Sequence, residues 1–423
     1  MRPYQAEMVR EVYAAWNQGA RAVLLQAPTG AGKTHTVASL IAEWDGPVIF
    51  AAHLDALVGD TAARLPGAGI IAPWATPTPS ARVQVCSLGT LTARGTRPPA
   101  SLVVLDEAHR SEAPTVSAIL ASYPGARLLG LTATPQRGDG RPLGATWERL
   151  VLGPSVASLT AMGALVPADL RCPPRGRGDV VAELQRLVPG WRALVFAEDT
   201  ASARGTAERL REAGYRVAEV YGETSRGERE ETRGRLRAGE LDALVNVAVA
   251  VEGWDEPSVD VVALDAPFGT VGRFLQAIGR GLRPYPGKVR CVVLDVRGAV
   301  HAHGLPDEAR AWRLTGTEAV LRCEPGLRLS RCPSCWAVFR AASTCPRCGA
   351  AVGVADVVDR APPTRAERLE AYSAIPVAVR REQYYQAMVR TGVGRRRMPL
   401  ERAQRWARGE AERRFPRGVE VGS

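Results

Sequence analysis

At 423 residues the chain can form two or three domains, and its 46% hydrophobic and 6% aromatic content is that of an ordinary folded α/β protein. The opening Met1-Arg2-Pro3-Tyr4-Gln5 lacks an apolar leader, and no apolar run nears the roughly twenty residues of a membrane span, which argues against secretion and membrane crossing and for a cytoplasmic setting. The net charge of +11 suits partners rich in phosphate, and it is concentrated at the end: residues 361–423 hold 14 Arg against 7 acidic residues.

Among 55 basic residues only Lys33 and Lys288 are lysines. In an arginine-saturated chain a retained lysine is informative, because a compact ammonium and a planar guanidinium do not substitute for one another beside a phosphate.

Val23-Leu24-Leu25-Gln26 reads as a short buried strand, followed by Ala27-Pro28-Thr29-Gly30-Ala31-Gly32-Lys33-Thr34. A loop of this kind turns the backbone N–H groups of Thr29, Gly30, Ala31 and Gly32 inward around phosphates. Lys33 reaches the β/γ-phosphates and the Thr34 hydroxyl ligates Mg²⁺. Val37, Leu40, Ile41 and Trp44 then recur at helical spacing, so a helix should start at the loop and aim its N-terminus at the phosphates. Leu102-Val103-Val104-Leu105 is a continuous apolar run, as expected of a central parallel strand, and it ends in Asp106-Glu107-Ala108-His109. There Asp106 would hold Mg²⁺ and Glu107 would polarise an attacking water.

A second βα array follows, with strands at Ala193–Phe196, Arg216–Val220, Leu244–Val251 and Val259–Leu264 and a helix through Leu210. The expected fold is α/β: two tandem doubly wound parallel-sheet domains over 1–155 and 156–315, joined near 155–185, where residues 173–178 (Pro-Pro-Arg-Gly-Arg-Gly) mark a loop. Gln276, Arg280 and Arg283 fall at i, i+4 and i+7, so one helical face would carry all three toward a γ-phosphate bound by the first domain. Gly279 and Gly281 between them weaken a helix, which implies a close approach.

Cys332-Pro-Ser-Cys335 and Cys345-Pro-Arg-Cys348 form two CxxC knuckles with the ligand set of a tetrahedral Zn²⁺ ribbon, placed at 325–352. Such a ribbon could grip nucleic acid or staple the tail. Cys86, Cys172, Cys291 and Cys323 have no such spacing and read as buried thiols. Residues 353–366 read as a linker within a basic, helical tail (353–423). Its Tyr384, Tyr385, Trp406 and Phe415 either pack helices or stack bases.

Asp106-Glu107-Ala108-His109 together with Leu131-Thr132-Ala133-Thr134-Pro135 resembles motifs II and III of superfamily 2 DEAD/DEAH-box helicases. Gln276 to Arg283 resembles their motif VI. The opening Arg2-Pro3-Tyr4-Gln5 is similar to the adenine-reading element, with Gln5 suited to a bidentate contact with the adenine edge. Phe50-Ala51-Ala52-His53 and Ser87-Leu88-Gly89-Thr90-Leu91 sit where motifs Ia and Ib bind the nucleic-acid backbone, although His53 and Thr90 could equally be loop residues. Glu252-Gly253-Trp254-Asp255-Glu256-Pro257 resembles motif V, with Gly253 and Asp255 near the ribose and the domain interface. Val251 stands where the family commonly has Thr, so no backbone contact is assigned there. The order of core, four-cysteine ribbon and basic tail resembles bacterial RadD-type helicases and their phage relatives.

The resemblance implies RecA-like domains, ATP, Mg²⁺ and Zn²⁺ as cofactors, and coupling roles for His109, Thr132 and Thr134. It also implies a motor on single-stranded or branched DNA, in repair, recombination or replication, within a bacterial cell or phage-infected host. RNA is the alternative track. A non-motor scaffold switched by ATP is the alternative of another class.

Overall fold

The structure is a computed structural model that describes residues 1–53, 55–174, 178–187, 190–247, 254–316, 320–322, 329–353, 357–358 and 398–414. Tyr384, Tyr385, Phe415, Cys323, Val251 and Gly253 lie outside these residues. The chain divides into two compact units, residues 1–360 and 361–423.

The first sheet is built from β1 (Ala22–Gln26), β2 (Val48–Ala52), β3 (Gly69–Ile71), β4 (Val83–Ser87), β5 (Leu102–Leu105), β6 (Arg127–Thr132) and β7 (Arg149–Leu152). Its order is β3-β4-β2-β5-β6-β1-β7, and every pair is parallel. Strands β1, β2, β4 and β5 are buried throughout; β2 and β5 are accordingly unbroken apolar runs, whereas β1 ends in a buried Gln26 and β4 carries buried Gln84 and Ser87. Gly130 on β6 makes room for Trp147, because a Cβ there would lie 2.6 Å from its indole.

The second sheet contains β8 (Ala168–Arg171), β9 (Ala193–Ala197), β10 (Val217–Val220), β11 (Ala243–Asn246), β12 (Val261–Asp265) and β13 (Cys291–Asp295). The order is β10-β11-β9-β12-β13-β8, again all parallel. Two RecA-like α/β domains result, as the sequence implies. β7 ends at Leu152 and β8 has joined the second sheet by Ala168, so the chain passes from one sheet to the other between them. The predicted strand at Leu244–Val251 is observed as Ala243–Asn246, and residues 248–253 are outside the description.

After the second sheet the chain crosses back. The segment that includes β14 (Arg310–Trp312), paired antiparallel with β15 (Val320–Arg322), lays Leu314 against the first domain. The Leu314 carbonyl lies so close to Gly144 that a Cβ would be 2.1 Å away.

The ribbon sheet has the order β17-β16-β18, formed by β16 (Leu329–Arg331), β17 (Val338–Arg340) and β18 (Val357–Val358). Its third strand reaches past the expected boundary at 352, because the β-branched pair Val357-Val358 continues the ladder where the sequence reads as linker. The described part of the second unit is one helix, Leu400–Arg414, with Ala407 buried and Trp406 partly so. Among the described residues no helix is long and apolar enough to cross a membrane.

Candidate ATP site in the interdomain cleft

Strand order sets the first wall of the site. β5, β6 and β1 are neighbours, and their carboxyl ends carry Asp106-Glu107, Thr132–Thr134 and the phosphate loop side by side. Gly30 (φ +89°) and Gly32 (φ +82°) take left-handed conformations, which lets the loop fold back over the start of the helix Lys33–Ala42. That helix ends before Trp44, whose ring instead packs against Tyr13 and Trp16. The Lys33 ammonium donates to the carbonyls of Ala27 (2.8 Å) and Pro28 (3.3 Å), within the loop. Burial lowers its pKa, opposed by Glu107 and Asp106.

Glu107 is one of two described non-glycine residues with positive φ (φ 50°, ψ 49°). The sharp turn after β5 costs about 1 kcal/mol or more, and it swings the carboxylate into the cleft. Its Oε2 lies 3.3 Å from His109 Nδ1 and accepts a 3.2 Å hydrogen bond from Gln276 Nε2 of the second domain. Burial pushes Glu107 up, but His109, Lys33 and Arg280 together outweigh it and hold the carboxyl down at about 2. Asp106 is pushed the other way, up to about 6, by burial and then by Glu107. The two adjacent carboxyls are thus driven apart, with Glu107 the one kept ionised.

Thr132 and Thr134 are buried in a tight loop, with Thr132 Oγ1 donating to Thr134 O (2.8 Å) and accepting from Thr134 N (3.1 Å). Thr134 touches the second domain at Gly272, where a Cβ would sit 2.8 Å from its Oγ1.

The second wall corrects one expectation. Gln276 lies in the helix Val271–Gly279, but that helix ends at Gly279, so Arg280 is its C-cap and Arg283 lies beyond it. The three do not form one continuous helical face: Gln276 reaches Glu107, while Arg280 Nη1 (2.9 Å) and Arg283 Nη1 (3.2 Å) both donate to the Trp254 carbonyl. The two glycines explain the break. A Cβ on Gly279 would fall 2.6 Å from Thr29 Cβ of the phosphate loop, and one on Gly281 would fall 2.3 Å from Cys291 Sγ. The close approach implied by these glycines is therefore present. The Arg283 stem and Leu165 also press on Gly30.

Asp255 pairs with Arg283 (2.7 Å) and with Arg64 of the first domain (3.5 Å), a bridge across the cleft with no sequence signal of its own. Gln5 is buried, and its amide is engaged within the protein. The backbone N of Arg2 donates to Oε1 (2.8 Å) and Nε2 donates to Ala31 O (3.5 Å), while Tyr4 donates to the same carbonyl (3.1 Å). As folded, Gln5 contacts the phosphate loop through Ala31. His53 is partly exposed just beyond β2, whereas the Thr90 hydroxyl is enclosed.

Mg²⁺·ATP fits this donor set. Thr34 and Asp106 would hold the metal, the loop N–H groups and Lys33 the phosphates, and the bound group supplies a transferable γ-phosphoryl. Glu107 would then hold and orient the attacking water.

The sulfurs of Cys332, Cys335, Cys345 and Cys348 all lie within 4.8 Å of one another, with Cys332–Cys348 at 3.5 Å and Cys335–Cys345 at 3.7 Å. A tetrahedral Zn–S₄ centre with bonds of about 2.3 Å requires sulfur separations of about 3.8 Å, so the set can hold such an ion. The ribbon is docked on the second domain. Arg171 of β8 forms an antiparallel bridge with Ala337, the Arg186 guanidinium lies 5.1 Å from the Trp336 ring centre, and Arg347 pairs with Asp169 at 3.3 Å.

This site, with both RecA-like domains contributing to it, is that of an ATP-hydrolysing nucleic-acid helicase of superfamily 2. The family described as type III restriction enzyme, res subunit, matches residues 1–67 and 89–137, and the helicase conserved C-terminal domain matches residues 179–284. The chain is 26% identical over 365 residues to a 51.5 kDa protein of a Lactococcus phage, covering 77% of each. It is 31% identical over 228 residues to the UvrABC system protein B of Xanthomonas oryzae, 45% of this chain but only 33% of that relative. Among solved structures, a fragment described as an HsdR subunit of a type I restriction enzyme from Vibrio vulnificus superposes with a TM-score of 0.59 at 20% identity. That match covers 72% of this chain and 66% of the fragment, and it bears on the fold alone.

Proposed function

We propose that the chain is a DNA-dependent ATPase that translocates on, or remodels, single-stranded or branched DNA, with Zn²⁺ in its ribbon. The observation that carries the motor reading is the Gln276–Glu107 hydrogen bond across the cleft, at 3.2 Å. A residue of one domain holds the water-activating carboxylate of the other, so hydrolysis and domain closure are one event. Arg280 and Arg283 leave the Trp254 carbonyl to meet charge developing on the γ-phosphate, and reopening after hydrolysis steps the strand. DNA as the track is supported by the restriction-enzyme family of the first domain and by the basic tail; His53 is the candidate backbone contact.

Two measurements test this. Glu107→Gln should bind ATP normally while turnover falls by about 10²–10⁴-fold; DNA remodelling that survived this change would leave an ATP-switched scaffold as the better account. ATPase stimulation should be compared across single-stranded DNA, duplex, forked DNA and RNA at matched salt, because phosphate contacts make each affinity salt-dependent. Strongest stimulation by RNA would overturn the DNA assignment.

A further inference from the structure

Both lysines of the chain do the same thing. Lys33 donates to the carbonyls of Ala27 and Pro28, beside the phosphate loop. Lys288 is half-buried, and its ammonium donates to the carbonyls of Pro257 (3.1 Å) and Val259. Each ammonium gathers two nearby carbonyls of one loop, a task for a compact cation with several donors. A guanidinium can also gather loop carbonyls, as Arg229 does at Tyr221 and Gly222, but its larger plane sets its donors at other points and would not reproduce the contacts of an ammonium at this site.

The loop that Lys288 gathers is the one on which the arginine pair is docked. Directly before Pro257, Glu256 is fully buried. It accepts from Arg237 Nη2 (2.9 Å) and from the backbone N of Ser258 (3.1 Å), which locks the turn. Two residues earlier, the Trp254 carbonyl accepts from Arg280 and Arg283 together, and Asp255 holds Arg283 at 2.7 Å. Lys288 itself follows Arg283 by five residues. It therefore ties the segment carrying the arginines to the loop that receives them. Burial lowers its pKa, in keeping with an ammonium enclosed among carbonyls.

We infer that Lys288 is a positioning residue for the arginine pair, setting where Arg280 and Arg283 stand before they engage the γ-phosphate. The inference rests on the reading of those arginines as stabilisers of the transition state. Lys288→Met should lower kcat about tenfold, with the KM for ATP changed less than twofold, since substrate binding is made by the first wall. Lys288→Arg should leave most of that loss in place. In a background with both Arg280→Ala and Arg283→Ala the effect of Lys288→Met should shrink below twofold, because the groups it positions are gone.

The comparison of backgrounds also covers a variant that merely weakens the fold, whose effect would multiply unchanged into both. A wild-type kcat for Lys288→Met, full rescue by Arg, or an equal tenfold loss in both backgrounds would each overturn the inference. If Arg280→Ala alone left kcat intact, the arginine reading itself would fail, which is a separate result.

Discussion

The two walls of the cleft are built by different means. On the first, every functional group stands at the end of one of three adjacent parallel strands, so the ladders β5–β6 and β6–β1 fix their spacing. On the second, Gln276 is on a helix, Arg280 caps it, Arg283 lies beyond, and both arginines rest on a carbonyl borrowed from another loop. The first wall is fixed by its ladders, and there only the flexible Lys33 side chain must exchange carbonyls, those of Ala27 and Pro28, for phosphate oxygens. The second must exchange the Trp254 carbonyl for a phosphate oxygen before it can act. Control of turnover therefore belongs to the second wall, and tight binding to the first.

The largest way to break this comparison is Arg280→Ala. If the second wall supplies stabilisation realised only in the transition state, single-turnover kcat should fall by about 10³-fold or more while ATP affinity is nearly unchanged. A matched loss of affinity would show that the arginine binds ground-state ATP and that the walls do not divide the work.

Gly279→Ala gives a sharper test because local and tertiary effects oppose each other. Alanine is the better helix former by about 1 kcal/mol, so the second domain alone should be no less stable. In the closed cleft the new methyl meets Thr29 Cβ at 2.6 Å. Overpacking of this kind costs about 1–3 kcal/mol, so kcat should fall about tenfold or more with an unchanged melting temperature. Unaltered turnover would mean that the helix end and the phosphate loop do not approach during catalysis.

Much of the first wall was legible in the sequence, because its signals are contiguous: apolar run, then phosphate loop or acidic pair. The second wall was legible only as residue identities. Helical periodicity placed Gln276, Arg280 and Arg283 on one face, but the helix stops at Gly279, where contact with Thr29 from another domain decides the geometry. Motif V placed Asp255 at the domain interface, but its partner Arg64 and the Trp254 carbonyl carry no motif, because a backbone acceptor has no residue signature and Arg64 is far away in sequence. The knuckle cysteines were found by spacing. The docking of the ribbon through Trp336, Arg186 and Asp169 depends on the edge strand β8, which only the fold brings near.

Gln276→Ala removes the hydrogen bond that Gln276 donates to Glu107 across the walls. Bonds to a charged group contribute about 1.5–3 kcal/mol, and His109 remains as a second partner, so the loss in kcat should be about tenfold. It should also be smaller than that of Arg280→Ala. DNA stimulation should fall more than the basal rate if closure is what DNA promotes; equal losses in both would place Gln276 outside the coupling.

The smallest effect is expected at Gln5, where sequence and structure assign different work. Read by motif, it tells adenine from guanine; in the fold, its carbonyl caps the helix Pro3–Asn17 through Arg2 N and its amide reaches Ala31 O. Losing such a cap costs about 0.5–2 kcal/mol, or a melting shift of roughly 1–8 °C for a domain of this size. If loop support is its role, Gln5→Ala should show that shift and a modest rise in KM for ATP and GTP alike. If it reads the base, the preference for ATP over GTP should collapse while the melting temperature stays put. The choice also bears on the first wall as a whole, because a selectivity loss would mean that Gln5 gives up its contact with Ala31 when nucleotide binds, and that even the wall fixed by its ladders moves.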